Sequence, residues 1–253
     1  MKETDVNMNG LLIFEGMPSL RPLLSDSAKR KIHRVVIDSS KCRKRAKELS
    51  YIKAKSHEMG FALDFLSHEE FIRLCPGDTA GGIAAFAEER VIPSLEREHI
   101  KENGFYIMLE GIEDPYNFGY ALRSAYAAGA DGIVVSERNW MSAAPCVCRA
   151  SAGASEYLDI YSSDAHAPDI FHDVGYAVVA TGVKNAESVY ETSLKTPIFL
   201  IIGGERRGIS ASTLEKCDRT VRLEYGRDDC RIALSAASAA AVLAFEVMKA
   251  NKY

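Results

Sequence analysis

Hydrophobic positions along the chain fall in short runs separated by polar, periodic stretches. In the first hundred residues, runs at Leu11 to Phe14, Arg34 to Ile37, Phe61 to Phe65 and Ile83 to Ala87 predict strands. Helices are predicted after Pro18, across the basic stretch from Lys41 to Met59, and from Ser67-His68-Glu69-Glu70, where a serine precedes an acid by three residues. The stretch from Val91 to Asn103 is charged, contains Pro93 and ends at Asn103-Gly104, which predicts a connector.

From Phe105 onward the same alternation continues on a larger scale. Strands are predicted at Phe105 to Leu109, Gly132 to Val135, Tyr176 to Ala180, Ile198 to Ile202 and Thr220 to Leu223, with helices between them. Continuous apolar strands flanked by helices indicate a parallel sheet covered on both faces. A last helix from about Leu234 to Lys249 is apolar nearly all round, so it should be buried in a core or in a dimer interface. The expected organisation is α/β throughout: a small α/β domain over 1–90, a linker over 91–103 and a larger parallel-sheet domain over 104–253.

Composition narrows the class. With 253 residues, 47% of them hydrophobic and 26% charged, the chain is neither a disordered polymer nor a disulfide-dense miniprotein. Met1 to Gly10 is polar and gives no secretory signal, and the apolar stretch from Ile232 to Phe245 is interrupted by Ser235 and Ser238, so a cytoplasmic protein is expected. The six cysteines (Cys42, Cys75, Cys146, Cys148, Cys217 and Cys230) are scattered. Cys146-Val147-Cys148 lacks the spacing of a zinc knuckle, so reduced thiols and no metal are expected.

A net charge of −4 argues at first against a nucleic-acid partner, but the charge is uneven. Lys29 to Lys55 holds eleven cations, among them Lys29, Arg30, Lys31, Arg34, Arg43, Lys44 and Arg45, against Asp38 and Glu48. That balance of +9 leaves −13 for the remainder. Such a run is either a solvated helix face or a phosphate-contacting patch. Its concentration on one small unit favours the patch, and affinity for a phosphate-bearing partner should then depend on this segment and weaken with salt.

Three segments of the second domain carry candidate chemistry. Leu109 to Ser124 is a strand end running into a helix, with Asp114-Pro115 at the helix start. Ile201 to Ser210 is a strand ending in glycines around Gly203-Gly204-Glu205-Arg206-Arg207-Gly208, which does not have the spacing of a dinucleotide fingerprint. Leu234 to Ala240 opens the last helix. In open parallel sheets such strand-end loops gather at the ligand site.

These segments resemble the motifs of the SpoU/TrmH-type RNA methyltransferases of the SPOUT class. The first is similar to motif 1, the second to the Gly-x-Glu-x-x-Gly of motif 2, and the stretch from Val221 into the last helix to motif 3. Arg149 to Ala154 resembles the family's Ser-x-Gly-Ala segment. The first domain, with Gly81-Gly82-Ile83 before its last strand, loosely resembles the small RNA-binding domain that many members carry. The resemblance implies a trefoil-knotted methyltransferase domain, a homodimer, S-adenosylmethionine as cofactor, and methyl transfer to a ribose 2′-oxygen of RNA, ribosomal RNA ahead of transfer RNA. A base atom as acceptor, or a non-catalytic RNA-binding or ribosome-assembly role, are the alternatives.

Carried over by position, the resemblance implies active-site roles for Asn117, Arg123, Glu205 and Ser235, and cofactor contacts at Gly203, Gly208, Leu223 and Leu234. Taken alone, Asn117 and Ser235 are helix-start residues and Glu205 a loop acid that Arg206 and Arg207 could pair. A guanidinium is charged at all ordinary pH, so Arg123 is better suited to clamping a phosphate than to acting as a base. Motif 3 departs from the family. Ala233 and Ser235 stand where relatives carry Ser and Asn, Leu223-Glu224-Tyr225 stands in place of the Ile-Pro before the cofactor loop, and the loop is slightly longer and acidic through Asp228 and Asp229.

Overall fold

The computed structural model describes residues 10–76, 80–136, 143–183, 185–227 and 232–252. It divides into two compact units: Met1–Val91 with Trp140–Tyr157, and Ile92–Asn139 with Leu158–Tyr253.

The first unit begins with β1 (Leu12–Glu15), α1 (Gly16–Leu23) and β2 (Ile32–Asp38). A 3-10 helix (Ser39–Arg45), α2 (Ala46–Met59), β3 (Ala62–Leu66), α3 (His68–Leu74) and β4 (Ile83–Ala87) follow. Its sheet has the order β1-β4-β2-β3, with β4 antiparallel to β1 and β2, and β2 parallel to β3. The basic stretch expected as one helix is broken at Arg45, whose φ and ψ of −127° and 26° leave the helical region. Asp38 caps the 3-10 turn by accepting from Ser40 N–H at 3.0 Å. The Ser67 and Glu70 capping box opens α3 as the spacing predicts.

The second unit carries β5 (Phe105–Glu110), α4 (Pro115–Ala127) and β6 (Gly132–Val135). The helices α5 (Ala144–Ala150) and α6 (Ala154–Tyr157) come next in the chain but belong to the first unit. Then follow β7 (Ile160–Ser162), α7 (Ala167–Asp173), β8 (Ala177–Thr181), β9 (Glu187–Ser188), β10 (Ile198–Gly203), α8 (Ala211–Leu214), β11 (Arg219–Arg222) and α9 (Ala236–Lys252). The sheet order is β7-β6-β5-β10-β8-β11-β9 and every pairing is parallel. Ile198, Phe199, Leu200 and Ile201 of β10 are wholly buried. At about 1.5–3 kcal/mol for each such side chain, this strand is held at the centre of the sheet.

The α/β class and the parallel sheet are as the sequence implies, but the domain limits differ. From Ile92 onward, the stretch expected as a linker belongs to the second unit. Leu95 is buried in its core, Leu95 N–H donates to Ser162 O at 2.8 Å, and His99 stacks on Tyr161. The Arg149 to Ala154 segment, expected in the larger domain, is instead part of the first unit. Ala144 and Cys148 lie in the core formed with Leu20, Leu24 and Ile37, and Gly153, at φ +89°, backs onto Pro18 and Pro22.

A buried ion pair ties α6 to this unit. Arg30 Nε donates to Glu156 Oε2 at 2.8 Å, and the guanidinium lies 5.1 Å over the Phe14 ring. A further N–H donates to the Glu88 carbonyl. The two side chains are only 5% and 1% exposed, so Arg30 leaves the set of candidate RNA contacts.

At the ends of β5 and β10 the backbones touch. Gly204 N–H donates to Glu110 O at 2.7 Å, and a Cβ on Gly204 would lie 2.0 Å from Gly111 O. Both clashing groups are fixed by main chain. Gly204→Ala should therefore lower the melting temperature far more than Gly226→Ala, where a Cβ meets open space; equal values would refute the constraint. Glu156→Ala strands a buried guanidinium and should cost about 3–5 kcal/mol in denaturant unfolding. A loss below about 1 kcal/mol, the range of exposed pairs, would show that the pair is solvated.

Candidate active site

The sheet order reverses between β5 and β10. Successive strands run outward from β5 through β6 to β7, while β10 is inserted on the other side of β5. The carboxyl ends of these two strands therefore form the crevice where open α/β sheets bind ligands. Beyond β5, Asp114 caps α4 by accepting from Tyr116 and Asn117 N–H, which fixes Asn117 in the first helical turn.

Beyond β10, Glu205 brings three distant segments together. Its Oε1 accepts from Asn117 Nδ2 at 3.2 Å and from Ala236 N–H at 3.2 Å, at the start of α9. A carboxylate is favoured at a helix N-terminus, where N–H groups lack internal partners. Among the described residues no donor engages Asn117 Oδ1, which is left as an acceptor. Arg206 and Arg207 do not pair with Glu205 but face Glu113, at 3.7 and 3.3 Å.

Two cavities flank this junction. The smaller, about 380 Å³, is lined by Glu113, Asp114, Asn117, Glu205, Arg206 and Ala236, among others. The larger, about 500 Å³, lies among the ends of β8, β10 and β11 and α9, and is lined by Thr181, Gly203, Gly208, Leu223, Tyr225 and Leu243, among others. Both volumes fall in the usual range of small-molecule sites, roughly 300–1,000 Å³. Gly203 N–H donates to Thr181 Oγ1, and a Cβ on Gly203 would press within 2.8 Å of Gly208. Gly203 thus has no room for a side chain, while Gly208 takes a φ of +62°, which favours glycine.

The implied site residues divide accordingly. Asn117 and Glu205 meet in the smaller cavity, and Gly203, Gly208 and Leu223 line the larger. Arg123 stands on the exposed side of α4, outside both linings. Ser235 caps α9, its Oγ accepting from Ser238 N–H at 3.2 Å. Leu234 is 41% exposed and lines neither cavity; its N–H donates to the Tyr225 hydroxyl. Asp228, Asp229 and Cys230 lie outside the described residues.

Two acids escape a reading by motif. Glu110, at the end of β5, accepts from Ser210 N–H at 3.1 Å and so fastens the loop after β10, while Glu113 holds the arginine pair. Their signal in the sequence is only an acidic spacing around Gly111.

In the first unit, Arg34 pairs with Asp64 and Arg45 with Glu48, each at 2.6 Å. Lys29 is half-buried, while Lys31, Arg43 and Lys44, with Lys41 and Lys47, are exposed. The Asp38 carboxylate beneath their turn is fully buried. Burial alone would raise its pKa, but hydrogen bonds from Ser40 Oγ and His68 Nδ1 and from the Ser40 N–H bring it below the ordinary value. Among the described residues no acid, histidine and thiol cluster could hold a metal ion, and no helix is long and apolar enough to cross a membrane.

Comparison with known proteins agrees with this geometry. A protein of Staphylococcus saprophyticus named as a putative TrmH-family tRNA/rRNA methyltransferase is 31% identical over 150 residues. The match covers 58% of this chain and 59% of that protein, so the chain spans about three fifths of its relative's length. An AdoMet-bound rRNA methyltransferase of Sinorhizobium meliloti superposes with a TM-score of 0.76 at 20% identity, over 95% of this chain and 87% of that one. The structure of an RNA 2′-O ribose methyltransferase gives 0.76 at 24% identity, over 95% and 89%. At these identities the likeness is one of fold. The SpoU rRNA methylase family matches residues 104–245, which span both cavities and all three converging segments, and the chain belongs to that family.

Proposed function

We propose that the protein is an S-adenosylmethionine-dependent methyltransferase that acts in the cytoplasm on a ribose 2′-oxygen of RNA, ribosomal RNA being the target class. The observation that carries this reading is the Glu205 carboxylate, which fastens Asn117 and the start of α9 between two adjoining cavities. The named neighbours of the same fold support it: one is an AdoMet-bound rRNA methyltransferase and another an RNA 2′-O ribose methyltransferase.

The larger cavity fits the cofactor. It combines an apolar wall of Leu223, Leu243 and Val221 with the close backbone of Gly203 and Gly208, suited to a flat base and a flexible chain. S-adenosylmethionine, when bound, supplies a methyl group on a sulfonium. The protein's part is to hold the acceptor in line with it, and orientation of this kind accounts for much of the acceleration in such transfers. Asn117, oriented by Glu205, offers Oδ1 to the hydrogen of a ribose hydroxyl. Arg123 clamps an adjacent phosphate as a permanent cation.

Because Arg123 lies outside both linings, the proposal includes a homodimer. Tyr116 and Tyr120 on α4 and Phe245 on α9 are 43–48% exposed, and a second copy covering these helices would bring Arg123 to a site. The knotted path of the chain belongs to the same proposal and is supported by the backbone contact of Gly111 and Gly204. A non-catalytic RNA-binding role is the second reading, motivated by Ser235, whose hydroxyl is engaged in capping α9.

Calorimetry with S-adenosylmethionine separates the two readings. Binding by the folded protein, with transfer of labelled methyl to RNA at a position that becomes resistant to alkali, is expected. A folded protein that binds no cofactor would favour the second reading. Glu205→Ala should lower kcat/KM by about 10²-fold through misplacement of Asn117, and unchanged activity would remove its positioning role. Replacing Lys41, Arg43 and Lys44 by alanine should weaken RNA binding and flatten its salt dependence by about 0.9 for each phosphate no longer neutralised. An unaltered slope would exclude this turn as the RNA seat.

A further inference from the structure

The smaller cavity has an odd charge balance for a site that admits RNA. Glu113, Asp114 and Glu205 all line it, and Arg206 is its one lining cation among the described residues. Two of the three carboxylates have fixed duties. Asp114 accepts the first N–H groups of α4, and Glu205 accepts the N–H of Ala236. Glu113 has among its partners two side chains, Arg207 Nε at 3.3 Å and Arg206 Nη1 at 3.7 Å.

Both separations exceed the roughly 2.7–2.9 Å of a tight charged hydrogen bond. The arginine side chains are 86% and 66% exposed, so these pairs are solvated, weak and easily exchanged. S-adenosylmethionine carries no phosphate and fits the other cavity, so the arginines are not needed to hold it. Two adjacent guanidiniums present two donor forks, the arrangement that matches phosphate oxygens. They directly follow Glu205, so an anion held there lies close to Asn117.

We propose that Arg206 and Arg207 form a phosphate clamp for RNA at the mouth of the smaller cavity, and that Glu113 is their counter-ion until an RNA phosphate displaces it. The inference rests on RNA being the substrate. Without RNA, Glu113 holds the two cations beside the cavity. When RNA enters, its phosphodiester takes the guanidiniums, and the acidic lining repels any strand that fails to engage them.

The test uses the full-length protein, a short fluorescein-labelled RNA hairpin read by anisotropy, and calorimetry with S-adenosylmethionine on every variant. The double variant R206Q/R207Q should bind the hairpin about tenfold more weakly, with a salt slope reduced by about 1–2. Glu113→Gln should tighten binding several-fold. That gain should vanish in the R206Q/R207Q background, which separates release of the clamp from a general change of charge. Cofactor affinity should stay constant throughout.

Hairpin affinity indifferent to the arginines, in variants that bind the cofactor normally, overturns the clamp. So does a Glu113→Gln gain of equal size with and without the arginines. The expected RNA pattern in a protein that binds no S-adenosylmethionine supports the clamp and overturns the methyltransferase reading alone.

Discussion

The second unit depends on a contact in which no side chain takes part. The chain leaving β10 rests on the chain leaving β5, with Gly204 donating to Glu110 O and no room for a Cβ against Gly111 O. Because both partners are main chain, the contact fixes the separation of the two loops more rigidly than packing between side chains could. Everything chemical follows from that separation. Glu205, one residue further on, is near enough to reach Asn117 on one side and the first N–H of α9 on the other. Gly203, one residue earlier, faces the larger cavity. A single tight crossing thus places a polar junction and an apolar pocket side by side.

The sheet order explains why the crossing occurs there. β10 enters between β5 and β8, strands already laid down, and its fully buried run from Ile198 to Ile201 can be satisfied only in the middle of the sheet. Inserting a late strand beside an early one brings residues nearly a hundred positions apart to the same edge. The long-range pairing is what makes three short motifs one site.

Much of this is legible in the sequence because it rests on local signals. The apolar runs mark nine of the eleven strands among the described residues, and Asp114-Pro115 and Ser67-Glu70 mark helix starts that the caps reproduce. What escapes is short or non-local. β7 and β9 have three and two residues, too few for any periodicity. The basic run misleads in part because charge counts carry no information on burial: Arg30 belongs with a glutamate 126 residues away, under the Phe14 ring. Motif spacing brings Asn117 and Glu205 to one place, and the hydrogen bond between them does the same. Leu234 and Ser235 are assigned to the site by position, yet with the helix starting at Ala236 the Ser235 hydroxyl caps α9 and Leu234 precedes the cap, its N–H on the Tyr225 hydroxyl.

The passage of the chain through the first unit a second time has a consequence for modularity. Arg30 lies before the parallel-sheet unit in the chain and Glu156 in the middle of it, and Ala144 and Cys148 fill a core otherwise built from residues before Val91. The first unit is therefore built from two stretches of chain that are far apart in sequence. A cut near Val91 yields one fragment with an unplugged core and another with an orphaned apolar insert, so neither half is a natural piece for grafting. Replacing the first unit as a whole means replacing two separate stretches of the chain at once. The buried pair of Arg30 and Glu156 thereby staples together the two separate stretches of chain from which the first unit is built.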